Sequence, residues 1–244
     1  MKKVAIITGG IKGIGLGIAK GLFDANYRVV LNYHSDDKGA EEATKNFNSE
    51  DVACIKADIT EDEERIYLLE NTNKLFGGFD VLINNAGIIR DGRFLELSFD
   101  DYHEIMRCNF YAPIFLAQRF ANNLISEKKG GAIINVLSIG AYHAGNMAYC
   151  TSKAALLSAT KCMAKELAKH NIRVNSISPG MVPTHLNEKI RASSPERWKK
   201  MLKKNPMGRA ADPSEMAGAV VYLASDAASY TTGTDIIIDG GMLA

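Results

Sequence analysis

Eight residues near the start of the chain narrow what it can fold into. Thr8-Gly9-Gly10-Ile11-Lys12-Gly13-Ile14-Gly15 follows the β-rich run Val4-Ala5-Ile6-Ile7 and leads into Ile14–Asp24, whose apolar spacing is helical. Glycines between a strand and a helix let the backbone turn tightly and approach a pyrophosphate. The helix start then presents unpaired N–H groups and the positive end of its dipole. The spacing, Gly-x3-Gly-x-Gly from Gly9, departs from the commoner Gly-x-Gly-x2-Gly, and such a loop alone also occurs as a plain strand-to-helix turn.

The rest of the chain repeats this alternation. Val29-Val30-Leu31, Ala53-Cys54-Ile55, Val81-Leu82-Ile83, Ala132 to Leu137, Val174-Asn175-Ser176-Ile177 and Asp235 to Ile238 read as strands. Residues 38–50, 61–76, 99–128, 147–169 and 213–224 read as helical, and 183–205 as polar and mobile. Continuous apolar strands alternating with helices imply right-handed βαβ units and a sheet buried on both faces. No repeat or linker divides the chain. The expectation is one α/β, doubly wound Rossmann domain over residues 1–244, with a mainly parallel sheet flanked by helices.

Composition excludes more than it selects. A net charge of +1 over 244 residues gives no field that favours nucleic acid or a membrane surface. Cys54, Cys108, Cys150 and Cys162 form no Cys-x2-Cys pair and no metal-type spacing with the histidines, so reduced thiols in a cytoplasmic protein without a metal site are expected. The apolar run after Met1-Lys2-Lys3 is too short for a secretory segment, and no stretch reaches the roughly 18 apolar residues of a membrane span.

Tyr149 and Lys153 are four residues apart in a helical segment and share a face. A phenol titrates near about 10, and an adjacent ammonium favours phenolate, so such a pair can serve as a tuned acid and base. Alone, the pattern more often marks surface neighbours. Here it follows a strand ending in Ser138, with the glycine loop upstream.

These motifs together resemble the short-chain dehydrogenase/reductase family: the glycine loop, Asn84-Asn85-Ala86-Gly87, Ser138, Tyr149-Cys150-Thr151-Ser152-Lys153 and Pro179-Gly180, in order along essentially the whole chain. The resemblance implies that Tyr149 gives a proton to a carbonyl oxygen and that Ser138 orients that oxygen. Lys153 lowers the phenol's pKa and holds the nicotinamide ribose. Asn109, in Arg107-Cys108-Asn109-Phe110, keeps a relay water beside Lys153. For the cofactor it implies contacts from Thr8, Gly9, Lys12, Gly13, Ile14 and Gly15; from Asp58 and Ile59 at the adenine; and from Asn85, Ala86 and Gly87 beneath it. Pro179, Gly180, Val182 and Thr184 would meet the nicotinamide amide and pyrophosphate. The second strand ends in Tyr33-His34-Ser35, and its first acids, Asp36 and Asp37, come late for a ribose ligand. With Lys12 as a cation in the loop, NADP(H) is the expected cofactor.

Within the family, Asn84 to Asp91 is similar to bacterial 3-oxoacyl-[acyl-carrier-protein] reductases and to acetoacetyl-CoA and polyketide ketoreductases, with Arg90-Asp91 the more telling pair. The tail, including Asp239-Gly240-Gly241-Met242, is shared more widely. Leu137 stands where a second serine is frequent, and 139–148, with Tyr142, His143 and Met147, is short. Residues 185–209 carry eight Lys/Arg against Glu188 and Glu196, a net +6. By resemblance this is a substrate lid, and its charge would attract an acyl carrier protein or a CoA phosphate, or be merely a solvated helix face. The function expected is NADPH-dependent reduction of a 3-oxoacyl thioester. A sugar, sterol or small-alcohol dehydrogenase and a silent NADP-binding sensor are the alternatives. The family also implies a homotetramer, pairing the helices near 109–128 and 147–169 and the last strand.

Overall fold

Seven parallel strands are laid out in the order β3-β2-β1-β4-β5-β6-β7. They are β1 (Val4–Ile7), β2 (Arg28–Tyr33), β3 (Val52–Lys56), β4 (Val81–Asn84), β5 (Gly131–Val136), β6 (Ile172–Pro179) and β7 (Asp235–Ile238). The structure is a computed structural model that describes residues 2–47, 49–90 and 93–244, apart from the side chains of residues 189, 190 and 197. Asp91, half of the Arg90-Asp91 pair, lies outside the described residues.

Both faces of the sheet are buried, which explains the unbroken apolar strands. On one face Ala5, Ile7, Val29, Leu31, Ile83 and Ile134 pack under α1 (Gly13–Asp24), α2 (Asp37–Lys45) and α9 (Ala217–Ala224). On the other Ile6, Val30, Leu82 and Ile133 pack under α3 (Asp62–Phe76), α5 (Ala112–Ser126) and α6 (Met147–Leu167), with Phe120 and Leu116 at the centre. β1 pairs with β2 on one side and β4 on the other, so the chain's direction of winding reverses there and a crevice opens beyond the strand ends.

Three expectations are redrawn. The helix expected over 38–50 ends at Lys45. The 99–128 segment is α4 (Phe99–Met106) and α5, separated by a π-helical turn at Arg107–Tyr111. Pro113 lacks an N–H and its ring crowds the carbonyl four residues back, at Asn109, which accounts for the widened turn. The polar 183–205 segment forms a 3₁₀ turn at His185–Asn187 followed by α7 (Glu188–Ser193) and α8 (Pro195–Leu202).

A buried polar chain fixes α6 to the sheet. Asn84 Nδ2 donates to Asn135 Oδ1 at 2.9 Å, and Asn135 Nδ2 donates to Thr160 Oγ1 of α6 at 2.8 Å. Across the sheet, α1 meets the 3₁₀ turn Pro213–Met216 without clearance: a Cβ on Gly17 would lie 2.5 Å from the Pro213 carbonyl oxygen. Gly17→Ala forces backbone apart and should cost about 1–3 kcal/mol. The thermal unfolding midpoint is expected to fall by several degrees; an unchanged midpoint would show that the 213–216 turn yields freely.

Candidate active site

The crevice is a groove of about 570 Å³ running from the end of β2 across β1 and β4 to α6. The glycine loop forms one wall. Gly9 (φ +60°) and Gly13 (φ +55°) adopt left-handed conformations that disfavour a side chain. Gly15 lies behind the wall, where a Cβ would come 2.3 Å from the Gly9 carbonyl oxygen. Thr8 is also behind it: its Oγ1 accepts from Asn85 N (2.9 Å) and Ala86 N (3.0 Å), and Asn85 Nδ2 donates to the Thr8 and Gly9 carbonyls. The two loops expected to hold a dinucleotide are therefore stapled together, with Gly9, Lys12, Gly13, Ile14, Asn85, Ala86 and Gly87 facing the groove.

At the β2 end, Tyr33, His34 and Ser35 line the groove, as do Asp58 and Ile59. Asp58 Oδ1 accepts from Thr60 N and Oγ1, and its other oxygen lies 3.7 Å from His34 Nε2. Lys12, expected to face a phosphate, is turned to Asp36, with Nζ 3.3 Å from Oδ2.

At the other end stands the set from α6. Asn146 caps the helix: its Oδ1 accepts from Tyr149 N (3.0 Å) and its Nδ2 donates to the Arg90 carbonyl (2.7 Å). Ser138, just beyond β5, stands close enough to the Tyr149 phenol to favour its ionised form, and its Oγ accepts from Gly140 N. Lys153 is 4% exposed and donates to the Val136 carbonyl at 2.9 Å. Asn109, in the π-turn, accepts from Ile88 N (2.8 Å) and donates to the Ile88 carbonyl (2.9 Å) and Ser152 Oγ (3.2 Å). A Cβ on Gly87 would come 3.2 Å from Asn109 Oδ1 and 3.5 Å from Lys153 Nζ. Ser138, Tyr149, Lys153 and Asn109 thus gather at one end of the groove.

Electrostatics here differ from the sequence expectation. Burial pushes the Lys153 ammonium down to about 8. Burial raises the Tyr149 phenol, with Ser138 acting in the opposite direction. Burial is the dominant influence on the phenol, while Lys153 Nζ is turned to Val136, 5.7 Å from the ring centroid.

The segment after β6 divides. Thr184 reaches the groove, its Cγ2 3.4 Å from where a Gly13 Cβ would be, and a capping box with Asn187 holds it. Pro179 and Val182 are buried away from the groove wall, and Gly180 N donates to the Ile238 carbonyl. Asp36, Asn146 and His185 belong to the site or its support but were not singled out as site residues by sequence reasoning. Asn146 carried a readable signal, an N-cap residue type before a helical run. Among the described residues no group of three or more His, Cys, Asp or Glu is placed to hold a metal ion. The glycine cradle, the length of the groove and the buried ammonium at its end fit a bound dinucleotide.

A family model described as enoyl-(acyl carrier protein) reductase matches residues 9–243. The chain is 36% identical to the 2-dehydro-3-deoxy-D-gluconate 5-dehydrogenase of Escherichia coli (99% of this chain, 96% of the relative). It is 32% identical to the 3-oxoacyl-[acyl-carrier-protein] reductase FabG of Aquifex aeolicus (98% and 97%). A short-chain type dehydrogenase/reductase from Mycobacterium marinum superposes with a TM-score of 0.90 at 36% identity (98% and 95%). The chain belongs to the short-chain dehydrogenase/reductase family. A further family structure, a putative 2-deoxy-D-gluconate 3-dehydrogenase from Agrobacterium tumefaciens with bound NADP, superposes with a TM-score of 0.88 at 32% identity (99% and 96%).

In this oxidoreductase, Asn146 links the start of α6 to the chain beyond β4. Asn146→Ala removes a cap worth about 0.5–2 kcal/mol and should lower kcat more than dinucleotide affinity, since it loosens Tyr149 but not the glycine loop. Asn146→Asp keeps the cap acceptor and loses the donor to Arg90. Steady-state kinetics beside a binding titration check both; wild-type kcat in the alanine variant would remove Asn146 from the support of Tyr149.

Proposed function

We propose that this chain is an NADP(H)-dependent ketoreductase that reduces a 3-oxoacyl thioester, borne on an acyl carrier protein or CoA, to the 3-hydroxyacyl thioester. One observation carries the reaction type: a buried phenol with a serine beside it and a buried ammonium one helical turn on, at the end of a groove fit for a dinucleotide. The cofactor, when bound, supplies the hydride. Gly9, Gly13 and Ile14 hold its diphosphate; Tyr33, His34, Ser35 and Lys12 meet the adenosine ribose; Asp58 and Ile59 flank the adenine. Asn85 to Gly87 and Thr184 border the nicotinamide half.

Ser138 holds the carbonyl oxygen toward Tyr149, and Tyr149 passes its phenolic proton to that oxygen. Tyr149 rests protonated at neutral pH, the state a proton donor needs. Lys153 then faces the phenolate left behind, and Asn109 keeps the backbone at Ile88 in register beside it.

The thioester is supported by the similarity to the Aquifex reductase and by the basic 185–209 segment, where Lys200, Lys203 and Lys204 are exposed. That segment serves as the lid. Tyr111 and Phe115 on the α5 side, Tyr222 on α9 and Ile237 on β7 expose apolar surface suited to a homotetramer, which light scattering tests. A cytoplasmic location completes the reading; no described helix is long and apolar enough to cross a membrane. A second reading, oxidation or reduction on a sugar acid, is favoured by the 36% identity to the gluconate-type dehydrogenase, and its carboxylate would also suit a basic lid.

NADPH oxidation with acetoacetyl-CoA should be fast. If it is absent while 2-dehydro-3-deoxygluconate with NADP⁺ turns over, the sugar-acid reading replaces it. Tyr149→Phe should cut turnover by about 10²–10⁴ and spare NADPH binding; persisting turnover would displace Tyr149 as the acid. Lys153 is charged below its pKa of about 8 and neutral above it, so kcat/KM for NADPH, which reports the free enzyme, should fall as pH rises through about 8. A flat profile to about pH 10 would separate Lys153 from cofactor capture.

A further inference from the structure

Ser138 and Tyr142 stand at the two ends of one short 3₁₀ turn, Ile139–Ala141. Ser138 Oγ accepts from Gly140 N at 3.0 Å, and its carbonyl accepts from Ala141 N at 2.9 Å. Tyr142 N closes the turn on the Ile139 carbonyl at 2.9 Å. The Tyr142 side chain then leaves the turn and donates to Asp235 Oδ2, at the start of β7, at 2.6 Å. Among the described residues, hydrogen bonds from 139–145 to another element come from Tyr142 alone. Motion toward α6 is blocked by Cys150, whose Sγ would lie 3.3 Å from a Cβ on Gly140 and 3.0 Å from one on Gly145. Motion away from α6 is restrained by the phenol.

We propose that Tyr142 is a positioning residue for Ser138: its phenol, held by Asp235, keeps the turn that Ser138 begins in the register the carbonyl contact needs. This rests on the reading of Ser138 as the group that orients the substrate carbonyl, and it applies to a thioester and a sugar acid alike. A single 3₁₀ turn has poor hydrogen-bond geometry and persists when its ends are tied down. The Ser138 end is tied by the sheet, since Leu137 N donates to the Ile177 carbonyl at 2.8 Å. The other end has the phenol. The two partners depend on each other. Asp235 Oδ1 is buried with no partner among the described residues, so the bond to Tyr142 carries the carboxylate. A short bond from a hydroxyl to a carboxylate is of the strong, charge-assisted kind. Partial burial and the Asp235 carboxylate push the Tyr142 phenol up to about 12, so the donor keeps its proton at neutral pH. Without this bond the turn is free to unwind from its Tyr142 end, and the Ser138 hydroxyl that caps it loses its fixed direction.

Tyr142→Phe removes only the hydroxyl and leaves the ring. Amide exchange by mass spectrometry, on a peptide spanning 137–148, reads the turn without turnover. Exchange should rise severalfold in Tyr142→Phe and in Asp235→Ala, and stay near wild type in Asp235→Asn, which keeps an acceptor. In the first two variants kcat should fall roughly tenfold, because a displaced polarising group is costly, while the Kd for NADPH by fluorescence titration stays within about twofold. Tyr142→Phe combined with Asp235→Ala should be no slower than the slower single variant. Turnover is taken on whichever of acetoacetyl-CoA and 2-dehydro-3-deoxygluconate the wild type accepts. Unchanged exchange overturns the proposal. So does raised exchange with wild-type kcat, which would make the bond structural only, and so does an NADPH affinity that falls as far as kcat, which would mark general loosening. An Asp235→Asn variant as slow as Asp235→Ala would place the effect in the charge and overturn it too. A wild type silent on both substrates would instead count against the ketoreductase reading, and exchange would still judge the hold of Tyr142 on the turn.

Discussion

Lys153 places an ammonium group where almost no water reaches it, and much of the site is arranged around that cost. A buried cation is tolerated only when its donors are used or its charge is partly given up. Both happen here. Nζ donates to the Val136 carbonyl at the open end of β5, and burial brings its pKa down to about 8. Room for the group comes from Gly87, whose Cβ would stand 3.5 Å from Nζ, and from the π-turn that sets Asn109 beside it. The cation is therefore a property of three chain segments meeting at the end of β5, and of no single motif.

The same meeting point explains why packing and chemistry share one stripe of α6. Ala148, Ser152, Lys153, Leu156, Thr160 and Ala164 are its buried residues, spaced by helical turns. Leu156 and Ala164 hold the helix to the sheet, Thr160 ends the Asn84–Asn135 chain, and Ser152 accepts from Asn109. A rotation of the helix that moved Lys153 would also break the buried polar chain. Each broken link would leave an unpaired buried polar group, worth about 1–3 kcal/mol. The catalytic register is thus enforced by the core, and the free-energy cost of misplacing Tyr149 is shared across the helix.

The sheet and the groove were legible in the sequence because their signals are local. Apolar strands buried on both faces, glycines at a strand-to-helix turn and a Tyr-x3-Lys face are each written within a few residues. The order of the strands then brings Gly9, Asn85, Ser138 and Tyr149 to one edge. What was not legible depends on side chains far apart in sequence. Nothing in the loop alone says that Lys12 turns to Asp36, 24 positions on, or that Asn146 reaches back to Arg90 across 56. The helices α7 and α8 were read as a mobile stretch because their charge obscured a short amphipathic pattern. The π-turn was hidden because Pro113 acts on the carbonyl of Asn109, and its effect is backward in the chain.

The least expected feature is the direction of the two shifts at the reacting end. A tyrosine–lysine pair is commonly pictured as an ammonium that draws the proton off a phenol. Here each group is governed by its own burial, so the resting pair is a neutral phenol and a lysine close to its titration point. On the proposed chemistry this separates binding from catalysis. Before proton transfer the lysine gains little from the uncharged ring 5.7 Å away. Once the phenol gives up its proton, a negative charge appears that an ammonium on the same helix face can stabilise. An interaction absent in the ground state and present as charge develops lowers the barrier without tightening the hold on substrate. Turning Nζ to Val136 in the resting state is thus compatible with a lysine whose largest effect comes late.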